Sequence, residues 1–485
     1  MIFNSLTYLL FLALAVILYW LLPQRPRLGM LFIASLLFYG FWRVEYLPLM
    51  LISAINDYVA SLKIYRSDNP RVRKSWLILS LIVNLGLLFY FKYLIFFVDN
   101  AVGLAHLLGI EISAPALEII LPLGISFYTF QTMSYTIDVY RGFIVPETDF
   151  VLYNCYVTYF PQLVAGPILR ANEVIPWLRE RAPFRSSDLS HGIRRVAYGL
   201  FLKVVLADNL APIVDAGYAQ NVSSMSAWDI WTLAFLFGFQ IYFDFSAYSH
   251  IALGSARMMG IVFPENFNFP YIASSPRDFW RRWHISLSSW IRDYLYLPLA
   301  GSRVRDTSVG GLATATEPAG SERKTFALFL TWGIMGLWHG AAWAFVFWGL
   351  YHATLVYFYR LLSPLFKKVP SRLARLGGWA ITLPLAMLSW IPFRAIDLQK
   401  TFAMYAKLFQ PREYLWLGLR ENDYLVAATM LVATIIAHWT TQFVVPRLAR
   451  RPILRFVLDT TSLTVIFLLV FIFLRPLVQF IYFQF

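Results

Sequence analysis

Apolar runs close to 20 residues long recur along this chain from Leu6 to Phe480. Each is about the length needed to cross a ~30 Å hydrocarbon core. No water is available there to pair with the backbone, so every N–H and C=O needs a partner inside the protein, and a helix provides it within each segment. Charged residues make up 14% of the chain and hydrophobic residues 59%, whereas a soluble chain carries about 25% charged residues. The expected fold class is an all-α polytopic membrane protein. Its spans should pack as a single transmembrane domain over residues 1–485 rather than as several ~150-residue units. The aromatic share of 18% suits interfacial belts and aromatic-lined cavities.

Basic residues set the expected orientation. Most of the 41 Lys and Arg fall in clusters at Arg25/Arg27, Lys63 to Lys74, Arg141, Arg170 to Arg195, Arg257, Arg277 to Lys324, Arg360 to Arg375 and Arg447 to Arg455. The loops 99–116 and 215–227 hold none. Placing the clusters on the cytoplasmic side puts the N-terminus outside. It gives spans near 5–22, 29–42, 46–62, 76–98, 117–139, 192–213, 228–250, 326–341, 343–359, 378–395, 424–444 and 458–480. The first segment has no Lys or Arg before it and no small-residue cleavage site, so it reads as a retained helix and not a signal peptide. The net charge of +14 belongs to loops beside anionic lipid, and no nucleic-acid partner is expected.

Three regions depart from this pattern. Residues 153–169 are apolar but carry basic residues on both sides and are interrupted by Pro161, Gly166 and Pro167. A re-entrant segment fits, because broken backbone is tolerated where protein buries it. Residues 264–298 are aromatic, basic and punctuated by proline, too charged to span, and expected at the cytoplasmic interface. Residues 301–324 have the Gly/Ser composition of a flexible cytoplasmic loop. There is no evident internal repeat, P-loop or dinucleotide-binding glycine pattern. Cys155 is the single cysteine, so no internal disulfide forms, and packing is a commoner role for it than acylation or nucleophilic chemistry.

Three blocks hold chemistry. His339 lies in Gly336-Leu337-Trp338-His339-Gly340-Ala341-Ala342-Trp343, within an apolar run. A titratable ring in a bilayer is costly and marks a functional site by default. The surrounding small residues admit either another helix or a narrow ligand; the bland reading is a buried His bonded to a carbonyl. His284 lies in Asp278-Phe279-Trp280-Arg281-Arg282-Trp283-His284. Arg forks suit phosphate and Trp faces suit a purine, so Arg281, Arg282 and Trp283 fit a nucleotide-containing donor. A membrane-surface helix explains the same residues equally well. Asp244 lies in Gln240-Ile241-Tyr242-Phe243-Asp244-Phe245-Ser246 and needs a partner inside an apolar helix. That partner is either a structural ion pair or hydrogen bond, or a substrate; Tyr242, Ser246 and Ser249 either supply hydrogen bonds there or form an ordinary packed face. His106, His191, His352 and His438 read as structural. No HExxH pattern or Cys/His cluster occurs, so no metal is assigned.

Together these blocks resemble the membrane-bound O-acyltransferase family, in its bacterial alginate O-acetyltransferase-like branch. The similar segments are Tyr242-Phe243-Asp244-Phe245-Ser246, Pro264-Glu265-Asn266-Phe267-Asn268-Phe269-Pro270-Tyr271, Asp278 to Ser288 and Gly336-Leu337-Trp338-His339-Gly340. Pro122 to Gln131, Phe160 to Ile168 and Phe480 to Phe485 are similar too. The resemblance implies a ring of tilted helices with re-entrant segments and two opposed funnels. It implies that His339 is the catalytic histidine and His284 the second histidine of the site. It also implies that acetyl groups pass from a cytoplasmic donor, with acetyl-CoA as substrate and no bound cofactor, to a periplasmic acetyltransferase working beside the polysaccharide synthesis and export machinery.

In that scheme His339 removes the acceptor proton or is transiently acylated, and His284 polarises or orients the thioester carbonyl. Arg281 and Arg282 hold donor phosphates, while Trp338 and Trp343 wall the acyl channel or simply pack. The small residues near His339 would favour acetyl over longer chains by exclusion. Other acceptors of the same fold are D-alanyl transfer to teichoic acid and acetylation of peptidoglycan or cellulose. A polysaccharide-precursor transporter using Asp244 and the histidines as a proton path is the non-enzyme alternative.

Overall fold

The computed structural model describes residues 1–113, 115–302, 321–448, 450–475 and 480–481. Most of the loop expected at 301–324, and the 482–485 part of the Phe480–Phe485 segment, lie outside the described residues. The described chain is helical, with no β-strand among the described residues. Seven of its helices are long and apolar enough to cross a membrane, and the protein is an all-α multi-pass membrane protein.

Each of the twelve expected spans coincides with a helix. Most helices outrun the apolar run that marks them, because polar flanks continue the same hydrogen-bond ladder. The expected span 76–98 is the centre of Pro70–Leu107, and 192–213 the centre of Ser186–Ala219. The fifth is shorter than expected: its helix is Ile125–Arg141, and the preceding residues are not helical. Gly124 stops the helix there with φ 73°, and a Cβ on it would stand 2.7 Å from the Leu163 carbonyl oxygen. The last helix is Pro452–Ile472 and ends before the expected 480.

The chain divides into two compact units. The first comprises Met1–Ile193, Ala252–Pro264 and the segment beginning at Arg292. Here Leu47–Arg66, Pro70–Leu88 and Ile125–Arg141 pack through a polar seam. Asp57 accepts hydrogen bonds from Asn84 Nδ2 at 2.8 Å and from Ser80 Oγ, while Ser53 Oγ donates to Asn84 Oδ1 at 2.5 Å. Ser53 and Asp57, like Ser80 and Asn84, are four residues apart and share a helix face.

The same unit holds the broken segment. Its helix stops at Thr158, and the residues from Leu152 to Leu169 are all buried. Side chains replace the missing ladder: Gln131 and Gln162 both donate to the Tyr156 carbonyl, and Ser35 Oγ accepts from Phe160 N. Broken backbone buried in protein is what proline at 161 and 167 led us to expect. Cys155 is buried there, its Sγ donating to the Leu28 carbonyl at 3.1 Å, so it serves packing.

The second unit comprises Arg194–Ile251, Glu265–Ile291 and the segment from Gly320. Ser321–His339 and Trp343–Leu362 are its most closely packed helices. A Cβ on Gly336 would stand 2.1 Å from the Phe345 carbonyl oxygen, and one on Gly349 equally close to the Trp332 carbonyl oxygen. The two backbones touch, which only glycine permits. Gly349→Val should therefore lower stability by about 3 kcal/mol, the upper end for overpacked interiors. Thermal unfolding in detergent checks this, with Gly377→Ala, which meets open space, as the control that should leave the midpoint nearly unmoved.

Candidate active site

His284 sits at a sharp corner. Ser275 caps the short helix Pro276–Trp280, its Oγ accepting from Asp278 N at 3.1 Å. The chain then turns through Arg281 to His284 and re-enters helix at Ile285–Ile291. At the corner His284 takes φ 41°, a left-handed conformation that costs a non-glycine residue about 1–3 kcal/mol. Asn268 N donates to the Arg282 carbonyl and Ile285 N to the Asn266 carbonyl, each at 2.9 Å, and this clamp holds the corner. The imidazole is fully buried. Its Nδ1 lies 3.3 Å from Asn266 Oδ1, and its ring meets Phe245 edge-on at 4.7 Å.

His339 is the last residue of Ser321–His339 and is 5% exposed. The glycine contact between the two helices brings Trp348 against it at 4.8 Å, and Phe393 lies at 5.5 Å. Trp338 joins the two histidines: its ring is 5.0 Å from His339 and 6.5 Å from His284. Two imidazoles 55 residues apart in sequence thus flank one buried indole.

The other expected site residues divide. Asp244 is taken up by an ion pair: Lys203 Nζ donates to Oδ1 at 2.6 Å and Ile481 N to Oδ2 at 2.6 Å. Lys203 also pairs with Asp208 at 2.9 Å. Both carboxylate oxygens are committed to the protein, so the structural ion-pair reading of Asp244 replaces the substrate reading. Trp283 is 3% exposed and stacks on Phe279 at 5.8 Å, with Trp390 at 4.8 Å. Tyr242 packs in the same cluster against Tyr271 at 5.5 Å and Phe267 at 5.9 Å. Arg282 pairs with Asp278 at 3.0 Å, whereas Arg281 is exposed. Trp343 is 55% exposed at the start of its helix, in contrast to buried Trp338.

Gly336 and Gly340 do not open a ligand channel. Their missing side chains are filled by Phe345, whose ring would meet a Cβ on Gly340 at 2.2 Å. Of the two readings for these small residues, the approach of a helix is the right one, and exclusion of long acyl chains by these glycines falls. His352 has a polar neighbour that sequence reasoning missed: Trp280 Nε1 donates to its Nδ1 at 3.3 Å. Lys203 and Asn266 were also missed as partners. For Lys203 the available signal was a lysine inside an apolar run; for Asn266 it was its place in the Pro264 to Tyr271 block.

The sequence pattern of the membrane-bound O-acyltransferase family matches residues 145–391, which contain both histidines and Trp338. The "probable alginate O-acetylase" of Azotobacter vinelandii is 37% identical over 90% of this chain and 84% of its own length. The one of Pseudomonas aeruginosa is 39% identical over 84% of this chain and 75% of its own length. The chain belongs to the membrane-bound O-acyltransferase family. The peptidoglycan O-acetyltransferase of Helicobacter pylori is 36% identical over 78% of this chain and 72% of its own length.

In this membrane-bound O-acyltransferase the Lys203–Asp244 pair should behave as a unit. Lys203→Met leaves Asp244 buried beside Ile481 without its cation and should cost about 3–5 kcal/mol. Adding Asp244→Leu should recover part of that loss, because Asp208 still lacks its lysine. A melting series of the two single variants and the double variant measures the coupling, and additive losses would rule out a buried pair.

Proposed function

We propose that the protein is a membrane O-acetyltransferase that takes acetyl groups from a cytoplasmic thioester, acetyl-CoA, and passes them across the bacterial inner membrane. A periplasmic acetyltransferase then places them on hydroxyls of an exported polysaccharide such as alginate. The observation that carries this reading is the pair of imidazoles flanking Trp338, inside the region matched by the acyltransferase family. The names of the relatives support acetyl as the group and an exported glycan as the acceptor.

Transfer of acetyl from a thioester to a hydroxyl breaks the acceptor O–H and the C–S bond, forms a C–O bond, and returns the proton to the thiolate. Imidazole handles such a proton well near neutral pH. His339 and His284 serve that transfer. Arg281, exposed and close in sequence to His284, faces donor phosphate. An acyl relay also has a physical logic: a two-carbon group crosses the membrane while the large anionic carrier stays in the cytoplasm.

Polysaccharide-bound acetate in cells lacking the gene tests this, with complementation by wild type, His339→Ala or His284→Ala at matched membrane levels. We expect polymer to be exported without acetate in the His339→Ala strain. Normal acetate there would make His339 structural, and loss of export with normal acetylation of residual polymer would favour a transporter.

Arg281→Ala should raise the KM for acetyl-CoA by roughly tenfold, the worth of one charge-assisted phosphate contact, with kcat little changed. Initial rates in proteoliposomes measure it, and an unaltered KM would remove Arg281 from the donor site.

A further inference from the structure

Asn266 makes four polar contacts that fix the proton on His284. Ser286 N lies 3.2 Å from Asn266 Oδ1. A backbone N–H donates and never accepts, so the amide atom facing it is the carbonyl oxygen. Asn266 Nδ2 then points at Ser249 Oγ, 3.2 Å away, which accepts. Oδ1 carries no proton, so the hydrogen bond to His284 Nδ1 at 3.3 Å needs its proton on the ring. Ser286 Oγ stands 2.9 Å from the same Oδ1 and gives its own proton there. It therefore has none to offer Nδ1, which it faces at 3.5 Å. The hydrogen-bond network selects the tautomer, which is how such assignments are made.

We propose that Asn266 is a positioning residue that holds neutral His284 with its proton on Nδ1, so that Nε2 enters acyl transfer as the proton acceptor. This rests on the reading above that His284 serves the transfer. The acceptor O–H breaks and its proton passes to Nε2 as the oxygen bonds to the thioester carbon. The C–S bond then breaks, and the leaving thiolate takes the proton from Nε2. A neutral His284 in this tautomer has no N–H at Nε2 with which to polarise the thioester carbonyl, so that expected role is replaced, and Nε2 takes over the proton removal expected of His339. The left-handed corner at His284 and the backbone clamp from Asn266 to Ile285 keep the two side chains in register. Among the described residues, the rings of Phe245, Phe267 and Trp338 pack on His284, and none of the three carries a charge.

The tautomer is read directly by solid-state nitrogen NMR of histidine-labelled full-length protein in lipid, with His284→Gln removing the signals to be assigned. We expect Nδ1 protonated and Nε2 bare near neutral pH; the proton on Nε2 overturns the proposal alone. Kinetics give a second readout. Asn266→Leu should lose on the order of 10²-fold in kcat with the KM for acetyl-CoA unchanged. Asn266→Asp keeps an acceptor oxygen and adds a negative charge that favours the imidazolium. It should retain most of kcat and move the acid limb of the kcat profile to higher pH. A residue that merely supports the fold predicts two equally damaged variants with an unmoved limb, and that result sinks the proposal. Full transfer by His284→Gln overturns the proposal together with the functional reading it rests on.

Discussion

The contact between Gly336 and Gly349 is the constraint on which the site around His339 depends. In lipid there is little hydrophobic gain from pressing two helices together, so close van der Waals fit has to supply the attraction. Removing the side chains at this crossing lets Ser321–His339 and Trp343–Leu362 meet backbone to backbone. Trp348, one position before Gly349, is thereby set against His339. A ring at the end of a helix, where the last carbonyls lack helical partners, is held in place by aromatic surfaces instead.

Aromatic side chains do much of the positioning elsewhere in this unit. Trp283, Phe279, Tyr271, Tyr242 and Phe267 form one continuous cluster beside His284. Such rings bury large areas with few rotatable bonds, so they fix the corner between two short helices that have little stability of their own. The left-handed residue at that corner is kept by this packing and by the two backbone hydrogen bonds flanking it.

Much of this was legible in the sequence, because two signals are strong in membrane proteins. Apolar length marks a span whatever its partners are, and each of the twelve runs coincides with a helix, although the fifth begins late and the last ends early. A titratable residue in such a run is conspicuous, and His339 and His284 stood out for that reason or for their arginine-rich setting. Partners were not legible. Lys203 and Asp244 are 41 residues apart, and nothing local says which cation meets which carboxylate. Gly336 and Gly340 mark close approach, yet the sequence does not tell a helix from a ligand. Asn266 lies in the Pro264 to Tyr271 block, yet nothing in that block says that folding brings its amide to His284. Seams formed by interhelical pairing, such as Asp57 with Ser80 and Asn84, are hidden for the same reason.

The bond from Ile481 N to Asp244 has a consequence for how the molecule comes into being. Asp244 and Ile481 are separated by 237 positions, and Phe480 lays its ring 4.5 Å from the Lys203 ammonium. During synthesis the helix carrying Asp244 leaves the ribosome long before the residues that complete its surroundings. At about 5–20 residues per second, that interval lasts from roughly twelve to fifty seconds. Throughout it Asp244 lacks the backbone donor that Ile481 supplies to Oδ2 in the finished fold. The unit is thus closed by nearly its last described residues, so the nascent protein spends much of its assembly with an unfinished polar centre inside the membrane.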